Sequence, residues 1–254
     1  MRKYATEFIG TFFLVFTIVT AVLSGSALAP LAIGVVLAAM VFAGGHISGA
    51  HYNPAVTLAV WIRGKIDSTD VPGYLAAQVS GAMAAAAIAH FVIDKDAASA
   101  LSLSGAALGK ALVAEALVTF ALAYVVLNVA TSSDHDGNSF YGLAIGFTVM
   151  SGAVAVGGIS GGVFNPAVAF GVSTAGMVSW SMLWVYLLAD LLGGALAGIV
   201  FRLLNPAEYQ GTSPVAAAYN ETADGATAGR ATVGGDARVP APRAEEAARP
   251  RQRT

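Results

Sequence analysis

A stretch of ten residues occurs twice in the chain. Residues 47–56 read ISGAHYNPAV and residues 159–168 read ISGGVFNPAV, so that Asn53 of the first copy corresponds to Asn165 of the second. A second pair of segments, 7–14 and 115–122, shares the pattern Glu-x-x-x-Thr-Phe-x-Leu at nearly the same spacing. Because the two spacings nearly agree, the chain contains an internal repeat, a sign of two structurally similar halves. We call the distance along the chain from Asn53 to Asn165 the repeat spacing.

The composition identifies lipid as the solvent of these halves. Hydrophobic residues make up 56% of the 254 residues and charged residues only 11%, against about 25% charged residues in soluble domains. The formal net charge of −2 gives no sign of the basic surface that binds nucleic acids. The absence of cysteine excludes disulfides, thiolate metal sites and cysteine nucleophiles.

The apolar residues fall into runs of membrane length. A spanning helix needs about 20 mainly apolar residues, and the runs that qualify are 5–23, 29–45, 72–93, 108–130, 140–157 and 181–203. Two shorter pieces, 53–62 and 165–176, follow Gly-rich stretches and are predicted as re-entrant half-helices. The first run is interpreted as a spanning helix and not as a cleaved signal peptide, because its Glu7 has an internal counterpart.

Each half therefore contains three membrane-spanning helices. Because three is an odd number, the second half has the opposite orientation in the membrane to the first. The two Asn-Pro-Ala elements then enter from opposite faces and meet near the midplane, as in other inverted-repeat membrane proteins. The predicted fold is an all-α membrane protein with six transmembrane helices plus two re-entrant half-helices. The channel domain is predicted over 1–204, with halves of about 1–100 and 108–204, and the Ala-, Pro- and Arg-rich segment 205–254 as a disordered cytoplasmic tail.

Loop charges predict the orientation of the chain. With both termini in the cytoplasm, the inner side carries most of the basic residues, namely Arg2, Lys3, Arg63, Lys65 and Arg202, and the outer side only Lys95 and Lys110. We expect a multi-pass protein of the plasma membrane. Aromatic residues near predicted helix ends favour an interfacial belt, with plain lipid packing as the alternative; they are Trp61, Tyr74, Trp180 and Trp184.

The Asn-Pro-Ala elements have the chemistry of helix starts. Asn53 and Asn165 would cap orphan backbone donors, and Pro54 and Pro166 fit the first helical position, ahead of an alanine in each copy (Ala55 and Ala167). Two helix N-termini aimed at one point place positive dipole ends there, which repel cations and admit neutral molecules. Both asparagine amides can donate to a passing oxygen.

The Gly-rich stretches before each asparagine are predicted to be extended. Their glycines are Gly44, Gly45, Gly49, Gly157, Gly158, Gly161 and Gly162. Non-helical backbone at membrane depth survives where it is buried in protein or lines water, so we expect its carbonyls to form an acceptor ladder along a pore. The expected lining residues include Gly49, Ala50, Gly161, Val163 and Phe164.

Three carboxyl groups lie inside predicted spans. Glu7 and Glu115 occupy related positions of the repeat, and each is expected to accept hydrogen bonds from the N–H groups of one re-entrant loop. A proton relay is the alternative. Asp190 has no such counterpart; it is interpreted as protonated, as hydrogen-bonded within the bundle, or as part of a subunit contact.

These residues resemble the aquaporin family, or major intrinsic proteins, over about residues 5–204. The third Asn-Pro-Ala, at 205–207, lacks the Gly-rich lead and is interpreted as the end of the last helix. The resemblance implies a homotetramer with one pore per subunit, a pore-lining His51 and no cofactor. It also implies a selectivity constriction, formed here by Ile33, Ala153, Gly162 and Val168.

This constriction departs from the family pattern. Family members usually carry arginine where Val168 stands, and water-selective members often carry histidine where Ala153 stands. Without these donors the opening should be wider and less polar, so we predict a passive channel for water and for solutes such as urea, ammonia, hydrogen peroxide or glycerol. The alternatives are a dedicated glycerol facilitator, a secondary transporter and a structural junction protein.

No enzymatic role is expected from the sequence. It offers no nucleophile–base pair, and a metal site from His46 and His51 would need a third ligand that the sequence does not supply. The expected partners are the lipid bilayer, three further copies of the chain and small neutral permeants.

Overall fold

The computed structural model describes residues 1–93 and 99–209, and these residues are almost entirely helical. The helices are α1 (Arg2–Leu23), α2 (Ala29–Ser48), α3 (Pro54–Arg63), α4 (Val71–Ile93), α5 (Gly105–Thr131), α6 (Tyr141–Ser160), α7 (Pro166–Thr174) and α8 (Leu183–Leu204). Short 3₁₀ turns lie at Ser133–His135, Trp180–Met182 and Pro206–Tyr209. Lys95 and the predicted tail beyond Tyr209 lie outside the described residues.

The helix lengths match the predicted membrane fold. Six helices are long and apolar enough to cross a membrane, and the shortest of them have 20 residues, or about 30 Å at 1.5 Å per residue. The helices α3 and α7 have 10 and 9 residues, which gives each about half that length. The prediction of six spans and two half-helices is thus confirmed.

The ends of α2 and α6 differ from the prediction. Gly44, Gly45, Gly157 and Gly158 were expected to be extended, but they lie inside these two helices. The physical reason is that a helix satisfies every backbone group internally, and lipid offers no other partner. The non-helical stretches therefore shrink to 49–53 and 161–165, which leaves fewer extended residues for the predicted acceptor ladder.

The two halves interlock through their half-helices. The first half-helix, α3, packs against α8 of the second half, and α7 packs against α4 of the first. Where α2 crosses α6, the helices approach so closely that a Cβ on Gly34 would lie 2.7 Å from the carbonyl oxygen of Gly146. These two glycines are themselves related by the repeat spacing, so the crossing lies on the axis that relates the halves.

The aromatic residues near helix ends divide into two groups. Trp61, Trp180 and Trp184 are exposed, as an interfacial belt requires. Tyr74 is buried, and its hydroxyl donates to Ser48 O at 2.7 Å. The belt prediction was wrong for Tyr74, because the residue faces the bundle and not the lipid.

The compact part of the chain extends slightly beyond the predicted boundary at residue 204. Residues Met1–Glu208 form one compact unit. After α8 ends at Leu204, the third Asn-Pro-Ala sequence contributes the helix cap Asn205 and the start of a 3₁₀ turn. Glu208 binds Arg63 at 2.6 Å, which joins the end of α8 to the end of α3.

Candidate pore

The two long helices that precede the re-entrant loops, α2 and α6, each end at a glycine in the left-handed conformation. Gly49 closes α2 with φ +84° and donates to Gly45 O at 3.0 Å. Gly161 closes α6 with φ +95° and donates to Gly157 O at 2.9 Å. Only glycine adopts this conformation without a steric cost, and the turn redirects the chain towards the half-helix that follows.

The two loops have the same backbone shape. Ala50 (φ 52°) and Tyr52 (φ 49°) correspond to Gly162 (φ 67°) and Phe164 (φ 51°) at the repeat spacing. Left-handed conformations of non-glycine residues persist only where surrounding contacts hold them. The surrounding contacts therefore impose the same backbone conformation on both loops, although their side chains differ.

Both asparagines cap the half-helices. Asn53 Oδ1 accepts from Ala55 N at 2.8 Å, and Asn165 Oδ1 accepts from Ala167 N at 2.9 Å and from Val168 N at 3.4 Å. A proline follows each asparagine at the first helical position. The caps fix both side chains with their amide nitrogens turned away from their own helices.

The amide nitrogens join the two halves. Asn53 Nδ2 donates to Phe164 O at 2.9 Å, and Asn165 Nδ2 donates to Tyr52 O at 2.8 Å. An amide NH₂ group has two hydrogens, so one donor on each side chain remains available to a molecule in the cavity. Each half-helix N-terminus adds roughly +0.5 elementary charge at the same place.

Glu7 holds the first loop from behind. Its Oε1 accepts from His51 N at 2.9 Å and its Oε2 accepts from Tyr52 N at 2.7 Å. Ser48 Oγ and Gln78 Nε2 donate to the same carboxylate at 2.7 and 2.8 Å. With four donors, a charge that would be costly in lipid is satisfied within the bundle.

Glu115 holds the second loop in the same way. Its two oxygens accept from Val163 N at 3.0 Å and from Phe164 N at 2.6 Å, and Ser160 Oγ donates at 2.5 Å. Tyr186 anchors the loop by donating to Ser160 O at 2.7 Å, as Tyr74 does in the first half. Neither serine–tyrosine pair was predicted from the sequence, although the two pairs are also related by the repeat spacing.

One cavity of about 640 Å³ is lined by residues of both re-entrant loops. The four predicted constriction residues, Ile33, Ala153, Gly162 and Val168, all line it. So do Ala50, His51, Asn53, Gly161, Val163, Phe164 and Asn165, together with aliphatic side chains of α1, α2, α5, α6 and α7. We call this space the apolar cavity, because no charged side chain is among its described lining residues.

A second cavity, of about 730 Å³, lies next to the apolar cavity. It is lined by Gly49, Lys65, Asp136 and the residues around them, and both cavities are lined by His51 and Val126. The His51 ring lies 3.1 Å from Thr57 Oγ1 through Nδ1, which fixes the ring plane. His51 therefore stands where the two cavities meet.

Several predicted residues act outside the cavity surface. Pro54, Ala55, Pro166 and Ala167 are not among the lining residues and belong to the packed first turns of the half-helices. Glu7 and Glu115 lie behind the loops. His46 borders a surface depression with Met1, Arg2 and Lys3, apart from His51, and the described part of the chain contains no group of three residues placed to hold a metal.

Comparison with known proteins gives consistent relatives. A family model described as "Major intrinsic protein" matches residues 1–201. The chain is 42% identical over 219 residues to the glycerol uptake facilitator protein-like 6 of Lactiplantibacillus plantarum, covering 80% of this chain and 98% of that protein. It is 35% identical over 212 residues to Aquaporin NIP1-4 of Oryza sativa subsp. japonica, covering 80% and 77%.

The fold has a relative among solved structures. The X-ray structure of the aquaglyceroporin from Plasmodium falciparum superposes with a TM-score of 0.69, covering 82% of this chain and 98% of that one. The two sequences are 22% identical, so this similarity concerns the fold alone.

Proposed function

Since the chain belongs to the major intrinsic protein family, whose members are passive channels for water and small solutes, we propose that its pore passes water together with larger neutral solutes such as urea, ammonia, hydrogen peroxide or glycerol. The observation that carries this proposal is the lining of the apolar cavity. Ile33, Ala153, Gly162 and Val168 offer apolar walls and backbone there, and no described lining side chain is charged.

The same lining accounts for the exclusion of ions. An ion that enters an apolar passage loses its water without finding a paired charge, which is far costlier than the transfer of a neutral molecule. The positive ends of α3 and α7 add repulsion for cations, hydrated protons included. A neutral solute instead receives hydrogen bonds from the free amide hydrogens of Asn53 and Asn165.

The proposal extends to assembly and membrane placement, which the family resemblance and the loop charges support. We propose a homotetramer with one pore per subunit, placed in the plasma membrane with both termini in the cytoplasm. The orientation is supported by Arg2, Lys3, Arg63 and Lys65, which then lie on the cytoplasmic side. On this orientation the apolar cavity opens outwards and the cavity beside Lys65 opens inwards.

A dedicated glycerol facilitator is the second candidate. It is favoured by the relative named as a glycerol uptake facilitator and by Leu187, which stands where water-type members often carry tryptophan. Tyr186 is the opposite marker, since it resembles the water-type members. A facilitator of this kind would pass glycerol far faster than urea.

The test is osmotic light scattering with the full chain in liposomes. Under a sucrose gradient we expect fast shrinkage, and under urea or glycerol gradients fast shrinkage followed by reswelling. The double variant Ala153→His/Val168→Arg should slow reswelling about tenfold or more, which corresponds to an added barrier of only ~1.4 kcal/mol, while water flux continues.

The control is Val154→His, the neighbour of Ala153, whose side chain is 71% exposed on the outside of the bundle. It should reswell like the wild type. Unchanged reswelling in the double variant would mean that the constriction lies elsewhere, and wild-type liposomes that never reswell would identify a water-selective pore.

A further inference from the structure

Asp190 is a buried carboxyl group in α8 with an incomplete set of partners. It is fully inaccessible to solvent. Its Oδ1 accepts from Thr119 Oγ1 of α5 at 3.0 Å, whereas Oδ2 has no hydrogen-bond partner among the described residues. The carboxyl of Glu115 and the backbone N–H of Asn165 lie beside it, so Asp190 adjoins the support of the second loop.

The internal repeat shows what this position does in the first half. Asp190 corresponds to Gln78 at the repeat spacing, which also relates Tyr186 to Tyr74. Gln78 Nε2 donates to Glu7 Oε2 at 2.8 Å. The first carboxylate thus receives its fourth donor from an amide, whereas Glu115 faces a second carboxyl group.

Two adjacent buried carboxyls cannot both be ionised at reasonable cost. Among the described residues, the titratable groups beside Asp190 are Glu115 on α5 and Tyr186 on α8 itself, and neither is a cation. The neighbouring helix α3 carries the cation Arg63, but this residue lies at the far end of α3, over the ring of Phe201, and not beside Asp190. One proton must therefore be shared by the pair.

The hydrogen bonds decide which group holds that proton. Glu115 accepts two backbone N–H groups and a hydroxyl, and each of these bonds favours its charged form. Asp190 accepts one hydroxyl and has the backbone N–H of Asn165 beside it, so it receives fewer donors than Glu115. A proton on Asp190 also supplies the donor that an ionised carboxylate lacks.

We propose that Asp190 is a protonated carboxylic acid that donates to Glu115, and that it is a positioning residue for the second loop and for Asn165. In this role a carboxylic acid O–H replaces the Gln78 N–H of the first half. The effect on transport rests on the proposed function, in which that loop lines the pore. When the proton is lost, the two carboxylates repel each other and permeability falls, so the channel should lose activity as the pH rises.

Infrared spectroscopy tests the proton directly, whether or not the protein conducts. The full chain in liposomes at neutral pH should show the C=O stretching band of a protonated carboxylic acid, and Asp190→Asn should lack it. Identical spectra for the two proteins would overturn the proposal. A lost band together with liposomes that conduct nothing would count against the proposed function and would leave the proton assignment standing.

Water flux tests the positioning role. Asp190→Asn keeps a donor and should retain most of the wild-type permeability, without its decline at alkaline pH. Asp190→Leu has a side chain of similar volume but no hydrogen-bond donor, and its water permeability should be about tenfold lower than that of the wild type. Equal permeability of the Asn and Leu variants, or a wild-type alkaline decline retained in Asp190→Asn, would show that the position only fills space.

The repeat supplies a matched control for both measurements. Gln78→Glu builds the same carboxyl pair in the first half, beside Glu7. It should add a second protonated-carboxyl band and make the alkaline decline steeper. If Gln78→Glu adds no band, buried carboxyl pairs in this bundle do not hold a proton, and the assignment of one to Asp190 fails.

Discussion

Gly158 and Gly162 lie close together in the chain and meet opposite demands. Gly158 is inside α6, and a Cβ there would meet nothing within 4 Å. Gly162 has φ +67°, and a Cβ would lie 3.2 Å from Gly157 Cα. The first glycine is a cost to the helix, whereas the second spares the loop the strain of a side chain at positive φ and a close contact with Gly157.

We therefore expect alanine to have opposite effects at these two sites. Gly162→Ala should destabilise the protein by about 1–2 kcal/mol through backbone strain, which lowers the melting temperature by about 2–8 °C. Gly158→Ala should raise it slightly, since alanine favours a helix. Thermal unfolding of the purified variants measures both, and a drop of equal size at both sites would contradict the strain assigned to the second loop.

Some residue contacts could be predicted from the sequence and others could not, because only some of them follow from the internal repeat. The contacts of Glu7 and Glu115 could be predicted, because the repeat marks both residues and buried carboxylates need donors. The link between Asn53 and Phe164 O, and the pairing of Asp190 with Glu115, depend on how helices far apart in the chain pack. No local pattern encodes such distances.

Among the helices, α3 is fastened at both ends. Its N-terminus is capped by Asn53, and at its C-terminus Arg63 binds Glu208 at 2.6 Å. Glu208 also accepts from Ser132 Oγ at 2.9 Å and from Ser133 N at 2.5 Å. One carboxylate thus ties together the ends of α3, α5 and α8.

This clamp should be sensitive to acid. Desolvation raises the pKa of Glu208, but the hydrogen bonds from Ser133 and Ser132 and the charge of Arg63 outweigh it and lower the pKa to about 2. A pKa below the ordinary value of 4.5 means that the carboxylate stabilises the fold above pH 4.5 and loses this effect as the pH falls through 2.

The variant Glu208→Gln should remove that dependence. We expect its melting temperature at neutral pH to fall by about 2–4 °C, the shift that 1 kcal/mol produces in a chain of this size. The difference from the wild type should shrink as the pH drops from 4.5 towards 2. A difference that stays constant over this interval would show that the charge of Glu208 is unimportant and that only its packing matters.

The helices show where hydropathy patterns are reliable. All eight could be placed from apolar runs, because lipid imposes a minimum length on every span. The ends of α2 and α6 could not, since glycine composition was taken to indicate extended backbone, although only Gly49, Gly161 and Gly162 among these glycines have positive φ. The last described turn was missed because its order depends on the contacts of Glu208.

On the scale of the whole molecule, the outer surface is apolar on every spanning helix. Exposed large side chains include Phe13, Val35, Phe91, Leu117, Val154 and Leu196. Such a surface is suited to lipid, and part of it to other copies of the chain. The proposed tetramer would cover some of these side chains and leave each pore, which lies within one subunit, unobstructed.

The assembly can be measured by light scattering with correction for bound detergent. We expect a particle with four times the 25.6 kDa of one chain. Liposomes that contain mixtures of wild type and Ala153→His/Val168→Arg should reswell in proportion to the wild-type fraction, because each subunit conducts alone. A monomeric particle, or a strongly non-linear dependence on that fraction, would rule out independent pores in a tetramer.

The crossed hydrogen bonds of the two asparagines have a consequence for biosynthesis. The carbonyl that receives the amide of Asn53 leaves the ribosome 111 residues after it, and α8, against which α3 packs, comes later still. Until then the amide nitrogen of Asn53 lacks its partner in the second half, and an unsatisfied polar group at membrane depth is costly. The six spanning helices can enter the bilayer in the order of synthesis. The first half-helix, α3, can take its final place only after α8 has been made.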